Sequence, residues 1–454
     1  MTVFTELSLT NFKSWKQVES MRLGKITGLF GANSSGKSSI IQLLLLLKQT
    51  AESKDQKVPL QFGDERSYVN LGDFADVVHQ GNVDLTFGFR LTVDLGQEVT
   101  FEDEDSGELR QGRSFSVAGE VGMAHRVIAT QSVEVRFSGH QYRITRLSGD
   151  TSDKPPQFES SDSLASTPAQ RRPSMPIRRL GKAYAFPSNL AAHYPAAGFV
   201  DNLIYSFEED LKESLYLGPL REPPSRQYGY RNAVPSDVGL RGEKAIEALV
   251  ASRFDERLQG EYQAAGTTLE AVIAEKLVDL GLLRSFQLQE VAGADNLYQV
   301  WVRRSSDSPD VLITDIGFGV SQVLPVLVLC YYAPRGATIL LEQPELHLHP
   351  SVQSKLADVL IDAAKHRGVQ IIVESHSEHL LKRLQRRVAE EWLSPDDVTL
   401  YFCEQDGAES ELCRLDLDEY GNIRNWPADF FGDEFGEMAA MTQAVMDRKA
   451  GEAK

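Results

Sequence analysis

The sequence predicts an α/β protein with a mainly parallel sheet flanked by helices. An antiparallel β lobe near the N-terminus and a helical and loop insertion complete the expected fold. Three observations predict it. A glycine-rich loop, Gly31-Ala32-Asn33-Ser34-Ser35-Gly36-Lys37-Ser38, joins a short apolar strand to a leucine-rich helix. Two largely apolar runs, residues 338–341 and 369–373, each lead into a helical stretch; strands apolar on both faces belong to parallel sheets covered on both sides. Short alternating runs across residues 84–137 have the period of antiparallel strands.

Taken in order, Thr5-Glu6-Leu7-Ser8-Leu9-Thr10 alternates with period two and runs into Asn11-Phe12-Lys13-Ser14-Trp15. Lys25-Ile26-Thr27-Gly28-Leu29-Phe30 is the strand before the glycine loop, and residues 38–49 have helical length and leucine content. Residues 149–187, rich in Ser, Pro, Asp and Arg with few side chains to bury, predict a mobile loop. Helices are expected over 243–250 and 268–282, then over 319–332, 351–364 and 377–391 around the two apolar strands. The expected organisation is one lobe at 1–95, an insertion at 96–300, a second lobe at 301–405 and an extension at 406–454. No internal repeat or sustained heptad pattern occurs, which excludes long coiled-coil arms.

Composition narrows the setting. Three cysteines (Cys330, Cys403, Cys413) without metal-type spacing argue for a reducing compartment and against a disulfide framework. The apolar stretch at residues 40–47 is too short to span a bilayer and lacks the flanks of a signal peptide. A cytoplasmic protein with no membrane association is the expectation. The net charge of −18 disfavours constitutive nucleic-acid binding, because neutralising phosphates supplies most non-specific affinity.

Four constellations carry chemistry. The glycine loop matches G-x-x-x-x-G-K-[ST] in full, in the strand–loop–helix context that a nucleotide phosphate site needs. Backbone N–H groups from Asn33 through Ser39 would face the phosphates of ATP, Lys37 would reach the β- and γ-phosphates, and Ser38 would ligate Mg²⁺. The second is the acid-ended strand Ile339-Leu340-Leu341-Glu342-Gln343-Pro344-Glu345, with His347 and His349 beyond it. Glu342 would hold the metal's water shell. The two histidines lack a third ligand at a usual spacing, which leaves structural or nucleotide-proximal roles beside a metal site. The third, Ile371-Ile372-Val373-Glu374-Ser375-His376-Ser377, ends in a histidine readable as structural or as a γ-phosphate sensor. The fourth, Asp315-Ile316-Gly317-Phe318-Gly319-Val320-Ser321-Gln322, puts small residues at a helix start, as a phosphate contact or a capped turn.

Together these blocks resemble the ABC-class ATPases of the SMC, RecF and OLD branch, and more closely the single-chain bacterial RecF/OLD-like ATPases. The resemblance covers roughly residues 1–95 and 310–405 and implies a split ABC-type ATPase head. It implies that Leu7-x-Leu9-x-Asn11-Phe12-Lys13-Ser14 is the first strand with its basic turn, bringing Lys13 to the nucleotide. Gly319 and Ser321 would belong to the signature motif, Glu342 to Ser/Thr-partnered metal binding, and His376 to the switch. Val78-His79-Gln80-Gly81 reads equally as a Q-loop, with Gln80 at Mg²⁺, or as a surface turn. Leu217-Gly218-Pro219-Leu220-Arg221 and Asn425-Trp426-Pro427-x-x-Phe430-Phe431 are familiar from the same group but carry no assigned chemistry. The implied mechanism is a head-to-tail dimer of two copies, each ATP lying between one phosphate loop and the opposing signature motif.

The chain departs from the branch at Gln343, where the general-base glutamate usually stands. Glutamine cannot accept a proton from water, so Glu345 or His376 would have to position it. Three roles compete: an ATP-gated switch or scaffold for a separate effector in bacterial anti-phage defence, a DNA repair or chromosome-maintenance ATPase using Arg171, Arg172, Arg178, Arg179, Lys182, Arg221, Arg226 and Arg231, and an OLD-like nuclease using Glu404, Asp416 and Asp418. Slow turnover is expected, and phosphate release should rise in Gln343→Glu. A fast wild type indifferent to that substitution would refute it.

Overall fold

The structure, a computed structural model, describes residues 2–102, 108–147, 154–169, 173–427 and 441–446. Its centre is a six-stranded sheet in the order Glu409–Leu415, Val398–Asp406, Ile26–Gly31, Gln370–Glu374, Thr338–Glu342, Leu215–Leu217. Five strands run parallel, and Glu409–Leu415 returns antiparallel at one edge. Every residue of Thr338–Glu342 and Gln370–Glu374 is buried. The reason is visible in the packing. Ile339, Leu341, Ile371 and Val373 join the core beneath the helices Phe318–Tyr332, Pro350–His366 and Glu378–Ala389. Leu340 and Ile372 point the other way, into a second core with the helix Lys37–Glu52 and the β lobe. Two buried faces favour apolar residues at the successive middle positions 339–341 and 371–373, which erases alternation.

The β lobe is a seven-stranded antiparallel sheet in the order Trp15–Arg22, Val3–Phe12, Phe87–Glu102, Leu109–Ala124, Val127–Phe137, His140–Thr145, Gln157–Ser160. Inward residues alternate as the period requires: Phe87, Phe89, Leu91 and Val93 are all buried. The insertion adds the helices Val200–Glu213, Ala245–Ala251 and Leu269–Asp279, and the pairing of Ser285–Glu290 with Leu297–Arg303. The mixed α/β fold class expected from sequence is the one observed.

Three expectations need correction. The loop expected to be mobile at 149–187 is packed over much of its described length. Phe158 sits in a strand of the β lobe, and Ala165, Ala183, Tyr184 and Phe186 are buried. Few apolar residues suffice there because the neighbouring sheet supplies the rest of the core; residues 148–153 and 170–172, with Arg171 and Arg172, lie outside the described residues. The expected division at 95 cuts the continuous strand Phe87–Glu102. That at 405 falls inside the hairpin closing the central sheet. Phe430 and Phe431 lie outside the described residues. Among the described residues no helix is long and apolar enough to cross a membrane.

One side chain pins the two sheets together. The Gln370 amide nitrogen donates to the carbonyls of Phe4 at 2.6 Å and Gly24 at 3.1 Å. Its oxygen accepts from the Phe4 N–H at 3.1 Å and the Thr338 hydroxyl at 3.1 Å. A buried amide thus completes the backbone pairing at the start of the N-terminal strand. Gln370→Leu strands the Phe4 N–H and C=O in the interior. The expected cost is about 2–4 kcal/mol, read as a lower urea midpoint with an unchanged slope.

Candidate functional site

The site forms at the carboxyl ends of the parallel strands, where open α/β sheets place ligands. Strand Ile26–Gly31 breaks at Gly31, whose φ is +141° and where a Cβ would stand 2.0 Å from the Cys403 carbonyl oxygen. Ser34 and Gly36 take left-handed φ values of 64° and 91°, which turns the loop back on itself before the helix starts at Lys37. No side chain caps that helix, so its first N–H groups are available to an anion. Ala32, Asn33 and Ser34 are exposed at the tip, Ser38 and Ser39 half-buried, Ser35 buried. The Lys37 ammonium folds onto the loop, donating to the Gly31 carbonyl at 3.0 Å, the Ala32 carbonyl at 2.6 Å and the Ser35 hydroxyl at 3.4 Å. Burial lowers its pKa, against the opposing charges of Glu374, Cys403 and Glu345.

Glu374 and Glu345 lie near enough to act on it, and Glu342 stands one strand further out. Glu342 and Glu374 end adjacent strands in register, and Glu345 follows one turn later. All three are buried. Glu342 accepts from the Tyr216 hydroxyl at 3.0 Å, and burial followed by the charge of Glu374 pushes its pKa up to about 7. Glu345 accepts from the His376 backbone N–H at 2.8 Å and leaves its second oxygen buried without a partner; burial raises its pKa too. Glu374 faces Ser38 and Gln343, which with Lys37 favour its charge, although burial still raises its pKa overall. Its Oε2 is buried and unpartnered. Gln343 takes φ 45° and donates its backbone N–H to the Glu374 carbonyl at 2.9 Å. Burial and then the Lys37 charge hold the His376 imidazole below its usual pKa, against a hydrogen bond with the Gly31 backbone.

The structure therefore brings Lys37, Ser38, Glu342, Gln343, Glu345 and His376 together across more than three hundred residues of chain. The other expected site residues have the following surroundings. The Lys13 ammonium donates to the Gln42 side chain, on the helix beyond the loop. Gln80 is exposed in a turn tied to Lys13 through the His79 ring, 2.8 Å from the Lys13 carbonyl. Gly319 packs near Leu282 and Leu348, and the Ser321 hydroxyl donates to the Phe318 carbonyl at 2.8 Å. These two mark a separate edge, where Phe318 is 74% exposed. His349 caps its own helix, accepting from the Ser351 N–H, and no cluster of three or more His, Cys, Asp or Glu poised for a metal exists among the described residues.

Sequence reasoning missed four contributors. Glu374 was hidden inside a motif read for its histidine. The Trp15 indole donates to the Gly36 carbonyl at 3.0 Å and is fully buried under the loop. Tyr216 braces Glu342. Arg221, buried, donates to the Glu342 carbonyl at 3.4 Å while its Nε and Nη1 have no partner, and burial lowers its pKa to about 10. The Leu217–Arg221 motif was the available signal for these last two.

With the geometry described, comparison gives the kinship. Residues 26–382 match a family model described as "AAA domain, putative AbiEii toxin, Type IV TA system". The chain belongs to this family of P-loop ATPases. Residues 393–441 match a second model, "Protein of unknown function (DUF3696)". No curated protein matches the chain. Among solved structures it is similar to an Smc head bound to the C-terminal winged-helix domain of ScpA, at 14% identity and TM-score 0.46, over 91% of this chain and 98% of that one. It is also similar to the SMC head domain from Thermotoga maritima, at 12% identity and TM-score 0.42, over 91% and 99% of the chains. A Pyrococcus furiosus Smc head with an extended coiled coil gives 12% identity and TM-score 0.43, over 92% and 97%.

Members of this family are P-loop proteins, and the site fits ATP with Mg²⁺. Open helix N–H groups and Lys37 suit phosphates, while unpartnered carboxylate oxygens suit a divalent cation. The Trp15 hydrogen bond holds the loop's last carbonyl. Trp15→Phe keeps an aromatic ring, though a smaller one, and removes that bond, so a fluorescent ATP analogue should bind about three- to tenfold more weakly, the equivalent of about 1 kcal/mol.

Proposed function

We propose that this chain is a slowly hydrolysing ATPase that uses ATP as a conformational signal, closing a head-to-tail homodimer that controls a separate effector. One observation carries the reading: Lys37 is folded onto its own loop carbonyls while buried acids wait at the ends of the adjacent strands. Phosphates would replace those carbonyls as partners of Lys37, and Ser38 would hold Mg²⁺. When bound, Mg²⁺ neutralises charge on the β- and γ-phosphate oxygens. His376, its pKa lowered by burial and hydrogen-bonded to the Gly31 backbone at the start of the loop, would sense the γ-phosphate. Gln343 offers an amide where a base is needed, which favours holding ATP over rapid hydrolysis.

The separate position of Gly319 and Ser321 supports a composite site. Their helix start is open to solvent at Phe318, free to approach the phosphate loop of a second copy. Leu348, beyond the acidic strand, packs near Gly319, so both elements would move with one face. The family description, naming a toxin of a toxin–antitoxin system, supports a role in bacterial defence.

The other readings draw less support. Lys182 is buried and paired with Glu208 at 2.9 Å, Arg221 is buried, and Arg226 pairs with Asp315 at 2.8 Å. Three of the eight basic residues named for a DNA-directed role are thus buried or held in internal pairs. Of the nuclease candidates, Glu404 is exposed opposite Glu411, and the Asp418 carboxylate accepts from the N–H groups of Tyr420 and Asn422 within a turn.

Light scattering with ATP and Mg²⁺ tests the composite site. The wild type should double in mass, and Lys37→Ala and Gly319→Glu should each stay monomeric. Gly319 tolerates the change sterically, because a Cβ there meets only Leu282 and Leu348 at ordinary contact distances. An equimolar mixture of the two variants should regain dimer through its one intact site. A wild type whose mass ignores ATP refutes the proposal.

A further inference from the structure

We propose that the C-terminal hairpin is a working part of the nucleotide site, and that Ser410 is its positioning residue, setting the phosphate loop through Ser14 and Trp15. The proposal rests on the ATP reading above and gives a role within it to the segment 393–441, matched by a family model of unknown function. Sheet order brings the hairpin to the loop. Val398–Asp406 runs parallel to Ile26–Gly31 with Cys403 opposite Gly31, and Glu409–Leu415 returns beside it. Both glycine ends of the loop stand against this hairpin. A Cβ at Gly31 would overlap the Cys403 carbonyl oxygen, and one at Gly36 would meet the Ser410 hydroxyl oxygen at 2.6 Å.

Ser410 is where the hairpin takes hold. It is buried, its backbone N–H donates to the Ser14 carbonyl at 2.9 Å, and its hydroxyl donates to the Ser14 hydroxyl at 2.7 Å. The residue after Ser14 is Trp15, whose buried indole donates to the Gly36 carbonyl at 3.0 Å. Ser410, Ser14, Trp15 and Gly36 thus form one run from the hairpin to the last glycine of the loop. Gly36 takes φ 91° directly before the helix whose uncapped N–H groups suit phosphates. The path of its backbone decides where those N–H groups aim. A residue that fixes Gly36 therefore shapes the anion site without touching the anion. The backbone bond alone would join hairpin to turn; the added hydroxyl bond fixes how Ser14 and Trp15 are presented to the loop.

The residue before Ser410 grips the same turn. The Glu409 carboxylate lies 3.6 Å from the Lys16 ammonium and 3.9 Å from the His79 ring, whose other nitrogen is 2.8 Å from the Lys13 carbonyl. At its far end the hairpin is tied to the rest of its own segment. Asn425 accepts from the Asp416 N–H at 2.7 Å and donates its amide to the Arg414 carbonyl at 2.8 Å. By linkage, a hairpin that sets the affinity of the loop is itself set by the nucleotide.

A double-mutant cycle on nucleotide affinity tests the assignment, with a fluorescent ATP analogue as probe and Ser410→Ala, Ser14→Ala and the pair compared with wild type. Each single change removes the hydroxyl bond and keeps the backbone one, so each should weaken binding about three- to tenfold. The pair should bind no more than about twofold worse than either single variant, because both remove one interaction. The ¹⁵N–¹H indole resonance of Trp15, assigned by its loss in Trp15→Phe, should move when the wild type binds nucleotide. It should already be displaced in nucleotide-free Ser410→Ala. If Ser410→Ala does not fold, Ser14→Ala breaks the same bond and carries the same two expectations. Variants that unfold at lower urea but bind the analogue like wild type, with the Trp15 resonance unmoved, overturn the proposal alone. So do losses that multiply in the pair. A wild type that binds no nucleotide overturns the ATP reading and the proposal with it.

Discussion

Two backbone hydrogen bonds, Ile371 N–H to the Lys25 carbonyl at 2.7 Å and Ser375 N–H to the Leu29 carbonyl at 3.0 Å, bracket the pairing on which this molecule depends. They lay the strand Gln370–Glu374 beside Ile26–Gly31 and so close a loop of about 340 residues. Loop closure of that length costs little more than closure of a short one, because the entropy grows only logarithmically. What makes the pairing durable is burial on both faces, with Ile371 and Val373 in one core and Ile372 in the other. The β lobe is fastened to the same strand through Gln370, whose amide meets the backbone of Phe4 and Gly24.

That same pairing concentrates charge. Glu342, Glu345 and Glu374 are drawn into the interior close to one another, with Lys37 and Arg221 as their nearest cations. Burial raises the pKa of all three acids, because a low-dielectric interior disfavours their charged forms. The molecule keeps this unfavourable cluster because surrounding strands and helices over-determine it.

The phosphate loop was fully legible because its chemistry is local. Gly31, Gly36, Lys37 and Ser38 lie within one turn of chain, and each conformation they adopt follows from residue type. The two apolar strands were legible for a similar reason, since burial on both faces leaves a mark in consecutive residues. Glu374 was not, because an acid at a strand end acquires meaning only when the neighbouring strand is known. Trp15 reads in sequence as part of an ordinary amphipathic edge, yet its indole reaches the Gly36 carbonyl. The loop at 149–187 was misread because its own residues are mostly polar, while the surface it packs against belongs to another part of the chain.

Sequence by itself determined that the chain carries a phosphate loop, buried parallel strands and an alternating antiparallel lobe. Those properties are written in residue type and short-range period. Tertiary structure alone decided which acid faces Ser38, which cations are spent on internal pairs, and which helix start stands apart from the loop. Strand order and side-chain packing are non-local, and no spacing along the chain encodes that Gln370–Glu374 lies between the other two strands. The placement of one strand puts Glu374 beside the phosphate-loop strand and Glu342 one strand further out, although both end strands of the same length.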